Sequence, residues 1–259
     1  MESDIKFLIF VAVILIVSFV GAYLPMTTRA TDKQMHLIIA FSTGIFLGIL
    51  FLILFPEAIE ESLAFDFDVM MVMYVVLAGF LLMFIMDFLV KHYKKAECDC
   101  DDCLDHHSHK VTSLSAFFGL SIHAALDGVA LATAFTLDPS IGLVVLLALC
   151  IHKTAEVFSL SSTFLLAGGR KRSLTYMAVF CCITPVAATI SYLLLDGAES
   201  SIVGPAFAFS AGVFMFVTML HMIPEAFHRK DVKMTSLALM LIGLLIIVCV
   251  VVLMGDSGL

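Results

Sequence analysis

The sequence predicts an all-α integral membrane protein of eight transmembrane helices, forming one domain over residues 1–259. Three observations lead there. Hydrophobic residues make up 61% of the chain and charged residues 14%, with a mean hydropathy of +1.09, so there is too little polar surface to coat a soluble globule of this size. Apolar stretches that reach the roughly 20 residues needed to cross a bilayer recur along the whole chain. Lys and Arg gather in alternate connections between those stretches, as expected of a multi-pass protein whose cytoplasmic loops are basic.

Taken in order, the helices are expected at about 5–24, 35–58, 69–90, 111–136, 140–167, 173–195, 203–228 and 233–254. The first could be confused with a signal peptide. Its flank holds Glu2 and Asp4 beside a single Lys6, its apolar core is long, and "GAYLP" is a poor cleavage site, so it reads as a membrane helix. Arg29 and Lys33, then Lys91, Lys94, Lys95 and Lys110, then Arg170, Lys171 and Arg172, then Arg229, Lys230 and Lys233 fall on one side, against Lys6 on the other. That side is the cytoplasm, which puts both termini outside and requires an even number of helices. Opposite lie Glu60, Glu61, Asp66, Asp68, Asp138, Asp196 and Glu199, an acidic mouth that would concentrate cations.

Composition also excludes partners. The formal charge is −8 and no basic patch is interleaved with aromatics, so no nucleic-acid partner is implied. Of seven cysteines, none lies in an outer loop, so no disulfide framework is expected.

Ionisable side chains at membrane depth are costly, which makes each one a functional hypothesis. The fourth helix reads "SIHAALDGVAL" with His123 and Asp127, and the fifth reads "CIHKTAEVFSL" with His152 and Glu156. Both pairs are spaced i, i+4 and therefore share a helix face. Facing one another, they would offer two imidazoles and two carboxylates, a donor set suited to Zn²⁺, Fe²⁺ or Mn²⁺. The alternative is an ion-pair network that only fixes helix packing. On the fifth helix Ser159 and Thr163 continue the same stripe, with Ala148 before it, as in a wet groove or a close helix contact.

A faint repeat is also present. "LFPEAIEE" closes the second helix and "MIPEAFHR" the seventh, which places the shared Pro-Glu-Ala at opposite membrane surfaces. That predicts a 3+2+3 arrangement, with helices 1–3 and 6–8 as inverted copies around helices 4 and 5. Glu57 then stands at the outer entrance, and His221 and Glu225, another i, i+4 pair, at the cytoplasmic exit. Between the third and fourth helices, a flexible cytoplasmic loop at about 91–110 includes "ECDCDDCLDHHSHK". Its Cys98, Cys100, Cys103, His106, His107 and His109 are candidate chelators, since thiolates and imidazoles favour Zn²⁺ or Cu⁺.

These residues together resemble the ZIP (Zrt/Irt-like) family of divalent-metal transporters. "HAALDG" is similar to the family's His-x-x-x-Asp/Glu-Gly pattern on helix 4, and "HKTAE" falls where helix 5 carries a second His-x-x-x-Glu-type set. The resemblance covers the whole chain. It implies eight helices around a metal site between helices 4 and 5, a homodimer, and movement of Zn²⁺, Fe²⁺, Mn²⁺ or Cd²⁺ into the cytosol. Carried over position by position, the ligands are His123, Asp127, His152 and Glu156. Many members build a second, adjacent metal position from the residues that follow the two histidines. Here those residues are Ala124 and Lys153. The prolines frequent before the two carboxylates are replaced by Leu126 and Ala155, which removes the residue expected to kink each helix. A subset with "HAA.DGVAL" and "HK" looks closest.

Lys153 is about 13 residues from the nearest helix end, too far to snorkel at about 1.5 Å per residue. It needs a carboxylate partner, and Asp127 and Glu156 are the candidates. Its ammonium is expected to occupy the space of the missing second ion, leaving one metal per site. No GxxxxGK[ST] sequence is present, so nucleotide-driven transport is not indicated. No enzymatic cofactor is expected, and the only bound species foreseen is the transported ion, Zn²⁺ first. The competing readings are an intramembrane zinc hydrolase, disfavoured by the absence of HExxH and of a spare general base, and a metal-responsive receptor. The plasma or inner membrane is the expected location, with an internal membrane as the alternative.

Overall fold

A computed structural model describes residues 2–27, 31–95, 103–168, 170–194 and 203–256, and the described residues contain helices and no strand. Eight helices are long and apolar enough to span a membrane: α1 (Ser3–Thr27), α2 (Lys33–Leu63), α3 (Val69–Leu89), α4 (Ala116–Leu137), α5 (Gly142–Leu165), α6 (Arg170–Leu194), α7 (Gly204–Ala226) and α8 (Lys233–Val252). The protein is therefore a multi-pass integral membrane protein. Large apolar side chains such as Leu8, Ile16, Phe88, Leu147 and Leu245 face outward, where lipid makes that exposure favourable. The most buried spans are α2 and α7, and α8 is the least.

The local sequence explains several helix ends. Thr31 caps α2, its hydroxyl accepting from the Gln34 N–H at 3.4 Å while the Gln34 side chain accepts the Thr31 N–H at 2.8 Å, a reciprocal capping box. Between α7 and α8, Arg229 donates to both carboxylate oxygens of Asp231 at 3.0 and 3.1 Å, and these hydrogen bonds hold the Asp231 carboxyl below its ordinary pKa. The third helix continues to Lys95 and the fourth begins at Cys103, so helical backbone enters the expected loop at 91–110 from both sides. Of the candidate chelators there, Cys98 and Cys100 lie outside the described residues, as do the side chains of Cys103, His106, His107 and His109.

The packing is paired. α2 lies on α8 and α7 on α3; α5 lies on α1 and α4 on α6; α5 meets α2 and α4 meets α7; α4 meets α5, α1 meets α6 and α2 meets α7. Exchanging 1 with 6, 2 with 7, 3 with 8 and 4 with 5 maps every pairing in that set onto another member. The contacts of α3 with α4 and of α5 with α6 lack an equally extensive counterpart.

The same exchange is visible in sequence and at atomic detail. "AFSTGIF" at 40–46 and "AFSAGVF" at 208–214 stand 168 positions apart, as do the two Pro-Glu-Ala triplets. Helix α2 winds as a π-helix over Leu50–Leu54 and α7 over Thr218–Met222, again 168 apart, each two residues before its proline. A proline inside a helix removes one backbone hydrogen bond and crowds the preceding turn, and a π-turn is a local widening that accommodates such a defect.

Close backbone approach is set by four glycines. A Cβ on Gly44 would lie 1.8 Å from the Met240 carbonyl oxygen, and one on Gly243 2.3 Å from that of Phe41. In the matched pair, Gly212 would meet the Val76 oxygen at 2.0 Å and Gly79 the Phe209 oxygen at 2.3 Å. Small residues let membrane helices approach this closely. Gly44→Ala and Gly212→Ala should each destabilise the protein by about 1–3 kcal/mol through overpacking. Gly119→Ala should cost less, because its new methyl meets only the side-chain ends of Val217 and Met83. Thermal unfolding in detergent checks this, and equal midpoints for the three variants would contradict it.

Candidate metal site

Helices α4 and α5 cross where their polar residues sit. The i, i+4 spacing puts His123 and Asp127 on one face of α4, with His123 Nε2 3.5 Å from Asp127 Oδ1. From α5, His152 Nε2 reaches to 3.6 Å from Asp127 Oδ2, and the two imidazole centroids are 6.0 Å apart. His123, Asp127 and His152 each offer a donor atom, all within 4.8 Å of one another, a separation compatible with a single ion bridging them. All three side chains are buried.

Glu156 is not part of that triplet. Its partner is Lys153, whose ammonium donates to Glu156 Oε2 at 2.5 Å and to Asp127 Oδ2 at 2.9 Å. Lys153 is 1% exposed, and its ammonium lies 5.5 Å from the centroid of the Phe180 ring on α6. From the sequence, Lys153 needs a carboxylate partner, with Asp127 and Glu156 as the candidates; in this geometry it has both. One ammonium joins α5 to α4 and leaves one oxygen of each carboxylate unclaimed by it.

Neighbouring helices hold this arrangement in place. The Thr184 hydroxyl of α6 donates to the Ala124 carbonyl at 2.8 Å, next to His123. Ser210 of α7 is 2.7 Å from His123 Nδ1, and the Phe214 ring packs 4.6 Å from the imidazole centroid.

The remaining polar atoms are informative. His123 Nε2, His152 Nε2 and Glu156 Oε1 are buried and make no hydrogen bond among the described residues. Buried polar atoms are nearly always satisfied, and leaving one without a partner costs about 1–3 kcal/mol. The two nitrogens flank Asp127 and with it form an incomplete shell of the kind a cation completes; Glu156 Oε1 is a further buried acceptor outside that triplet.

The expected path residues divide. Glu57 is half-buried on α2 just past the π-helix. His221 and Glu225 each lie beside a group from another helix. His221 Nε2 is 3.5 Å from Asp87 Oδ1 of α3, and Asp87 also holds Lys91 at 2.6 Å. Glu225 Oε1 is 3.6 Å from His36 Nδ1 of α2, and the same nitrogen is 3.0 Å from the Glu225 backbone oxygen. The His36 ring in turn stacks on His228, with centroids 5.8 Å apart. On α5, Ser159 donates to Met222 Sδ at 3.2 Å and the Thr163 hydroxyl bonds back to the Ser159 carbonyl at 2.9 Å, so in this conformation the stripe is packed.

Asp87, His36 and Ser210 were not singled out in the sequence. Asp87 was findable, as a carboxylate inside an apolar run with Lys91 four residues on. Ser210 lies in the "AFSxG" match, which a search for the repeat beyond Pro-Glu-Ala would have exposed.

Lys153→Met would leave two buried carboxylates with no countercharge. Removing one partner of a buried pair costs about 3–5 kcal/mol, so the metal-free variant should lose thermal stability in detergent, and Lys153→Met with Glu156→Gln should recover part of the loss. An unchanged midpoint in the single variant would contradict the bridging role.

The chain was compared with known proteins. The family profile for ZIP zinc transporters matches residues 4–113 and 97–251. The zinc transporter ZIP9-A of Xenopus laevis is 25% identical over 255 residues, covering 83% of this chain and 84% of that protein. The ZIP9 of Xenopus tropicalis is 36% identical over 142 residues, 50% of this chain and 46% of that protein. Protein zntA of Dictyostelium discoideum is 32% identical over 142 residues, 52% of this chain and 28% of that protein.

Proposed function

The chain belongs to the ZIP zinc transporter family, and from that membership we propose that it moves a divalent transition metal into the cytosol through one site between α4 and α5. Zn²⁺ is the first candidate, because the relatives matched are named zinc transporters. Fe²⁺, Mn²⁺ and Cd²⁺ are the others that nitrogen and oxygen donors accommodate.

The observation that carries this reading is the set of buried atoms without hydrogen bonds around Asp127. In our proposal His123 Nε2, His152 Nε2, Asp127 Oδ1 and Glu156 Oε1 receive the ion, while Lys153 stays on Oδ2 and Oε2. The ammonium then serves as a permanent substitute for a second cation. With neutral histidines, two carboxylates and one ammonium sum to about −1 empty and +1 loaded. A second divalent ion would raise that further in a low-dielectric site, at a high electrostatic cost.

The transport cycle follows from the same geometry. A hydrated ion is drawn to the acidic outer surface, passes Glu57, exchanges water for the four ligands, and leaves toward His221, Asp87 and Glu225. The basic loops support a cytoplasmic location for that second cluster and external termini. The 168-residue correspondence supports α1–α3 and α6–α8 as inverted copies, an architecture suited to alternating access. An inside-negative potential contributes about 2.3 kcal/mol per charge per 100 mV, or about 4.6 for a divalent ion. Protons compete with metal for these ligands, so binding weakens as pH falls. A homodimer is the proposed assembly, on the family resemblance.

Proteoliposomes containing a metal-sensitive dye test this directly. Zn²⁺ influx is expected for the native chain and should be lost in His123→Ala and Asp127→Ala, with one ion bound per site in purified protein. Folded, metal-binding protein that gives no flux would overturn transport. Two ions bound between α4 and α5 would overturn the role given to Lys153.

A further inference from the structure

We infer that Ser210 is a positioning residue for metal capture, holding the orientation of the His123 ring from a different helix. The inference rests on the reading of His123 as a metal ligand and adds a group that the ligand motifs do not contain.

His123 has two ring nitrogens in different surroundings. Nε2 faces Asp127, is buried, and makes no hydrogen bond among the described residues. Nδ1 is 2.7 Å from Ser210 Oγ, and both side chains are about 1% exposed. A neutral imidazole carries its proton on one nitrogen only. With the proton on Nε2 the ring faces Asp127 Oδ1 at 3.5 Å, outside hydrogen-bond geometry, and the Ser210 hydroxyl donates to Nδ1. A proton on Nδ1 is donated to Ser210 Oγ, and the Nε2 lone pair is then directed at the triplet. Metal-bound histidines are held in this way, with the second nitrogen donating to an oxygen that fixes the ring.

The Phe214 ring, 4.6 Å away, packs against the imidazole but supplies no hydrogen-bond partner, so the Ser210 hydroxyl is the polar group that holds Nδ1. Ser210 also sits on α7 two residues before Gly212, whose close approach to the Val76 carbonyl of α3 sets the position of that helix. The orientation of His123 on α4 is thereby tied to the α3–α7 pair.

The test uses the full-length purified protein and Zn²⁺ alone, with affinity measured by competition against a chelating dye. Ser210→Ala should weaken Zn²⁺ binding by about 10–100-fold, and Ser210→Thr, which keeps the hydroxyl, should restore most of it. The thermal midpoint of the metal-free protein should be similar in all three. In a His123→Ala background, Ser210→Ala should have no further effect on the residual affinity, an outcome that a general packing defect would not produce. Native affinity in Ser210→Ala, or an equal loss in the His123→Ala background, overturns the inference. Native affinity in His123→Ala itself would instead overturn the site on which it depends.

Discussion

A single ammonium between two carboxylates, in the middle of a membrane protein, governs the rest of the arrangement. Lys153 cannot reach water from its position on α5, and a lone charge in hydrocarbon costs several kcal/mol at least. Its stability depends on Asp127 at 2.9 Å and Glu156 at 2.5 Å. Asp127 is on the other helix, so this requirement determines how α4 and α5 meet. Once they meet, the i, i+4 spacing leaves His123 and His152 nowhere to point except around the same aspartate. The ion-pair network and the proposed metal site are thus one construction, with the ammonium on one oxygen of each acid and the imidazoles beside Asp127.

The scaffold around this centre combines rigidity with local weakness. α2 lies against α8, and α7 against α3, at distances only glycine permits, with a carbonyl of one helix directly over the Cα of its partner. Just beyond those contacts both α2 and α7 widen into a π-helix and then meet a proline. The Thr43 hydroxyl, which donates to Ile39 O at 2.7 Å, also lies 3.5 Å from the Met222 carbonyl, so α2 packs directly against the irregular α7 backbone. The tightly packed halves lead into Ser42 and Ser210, while the irregular halves carry Glu57 on one helix and His221 and Glu225 on the other. Deformable backbone beside the proposed path residues suits the proposed transport, in which the ion needs a different opening on each side of the membrane.

Much of this was legible in one dimension. Residues such as Leu8 and Leu245 face lipid and need no partner, so hydropathy alone located all eight helices, within a few residues at most ends and about five where the second and fourth spans were drawn. Spacing put His123 with Asp127 and His152 with Glu156 on shared faces, because a helix projects i and i+4 onto one face whatever surrounds it. The isolation of Lys153 from both helix ends was enough to name its partners. By contrast, the pairing of His221 with Asp87 and of Glu225 with His36 was not legible. Spacing set His221 and Glu225 on one face, but local periodicity carries no information about neighbours dozens of residues away, and each also has a partner on another helix.

Sequence by itself determined that the chain is a bundle of eight membrane helices with two histidine–carboxylate faces and one lysine that must be neutralised. Those properties follow from the transfer cost of polar groups and from the pitch of a single helix. Only the tertiary structure decided which oxygens the lysine takes, which donors remain open toward the shared point, and that a serine of α7 stands behind His123. These are distances between atoms on separate helices, set by how closely glycine, proline and bulky side chains allow the backbones to pack.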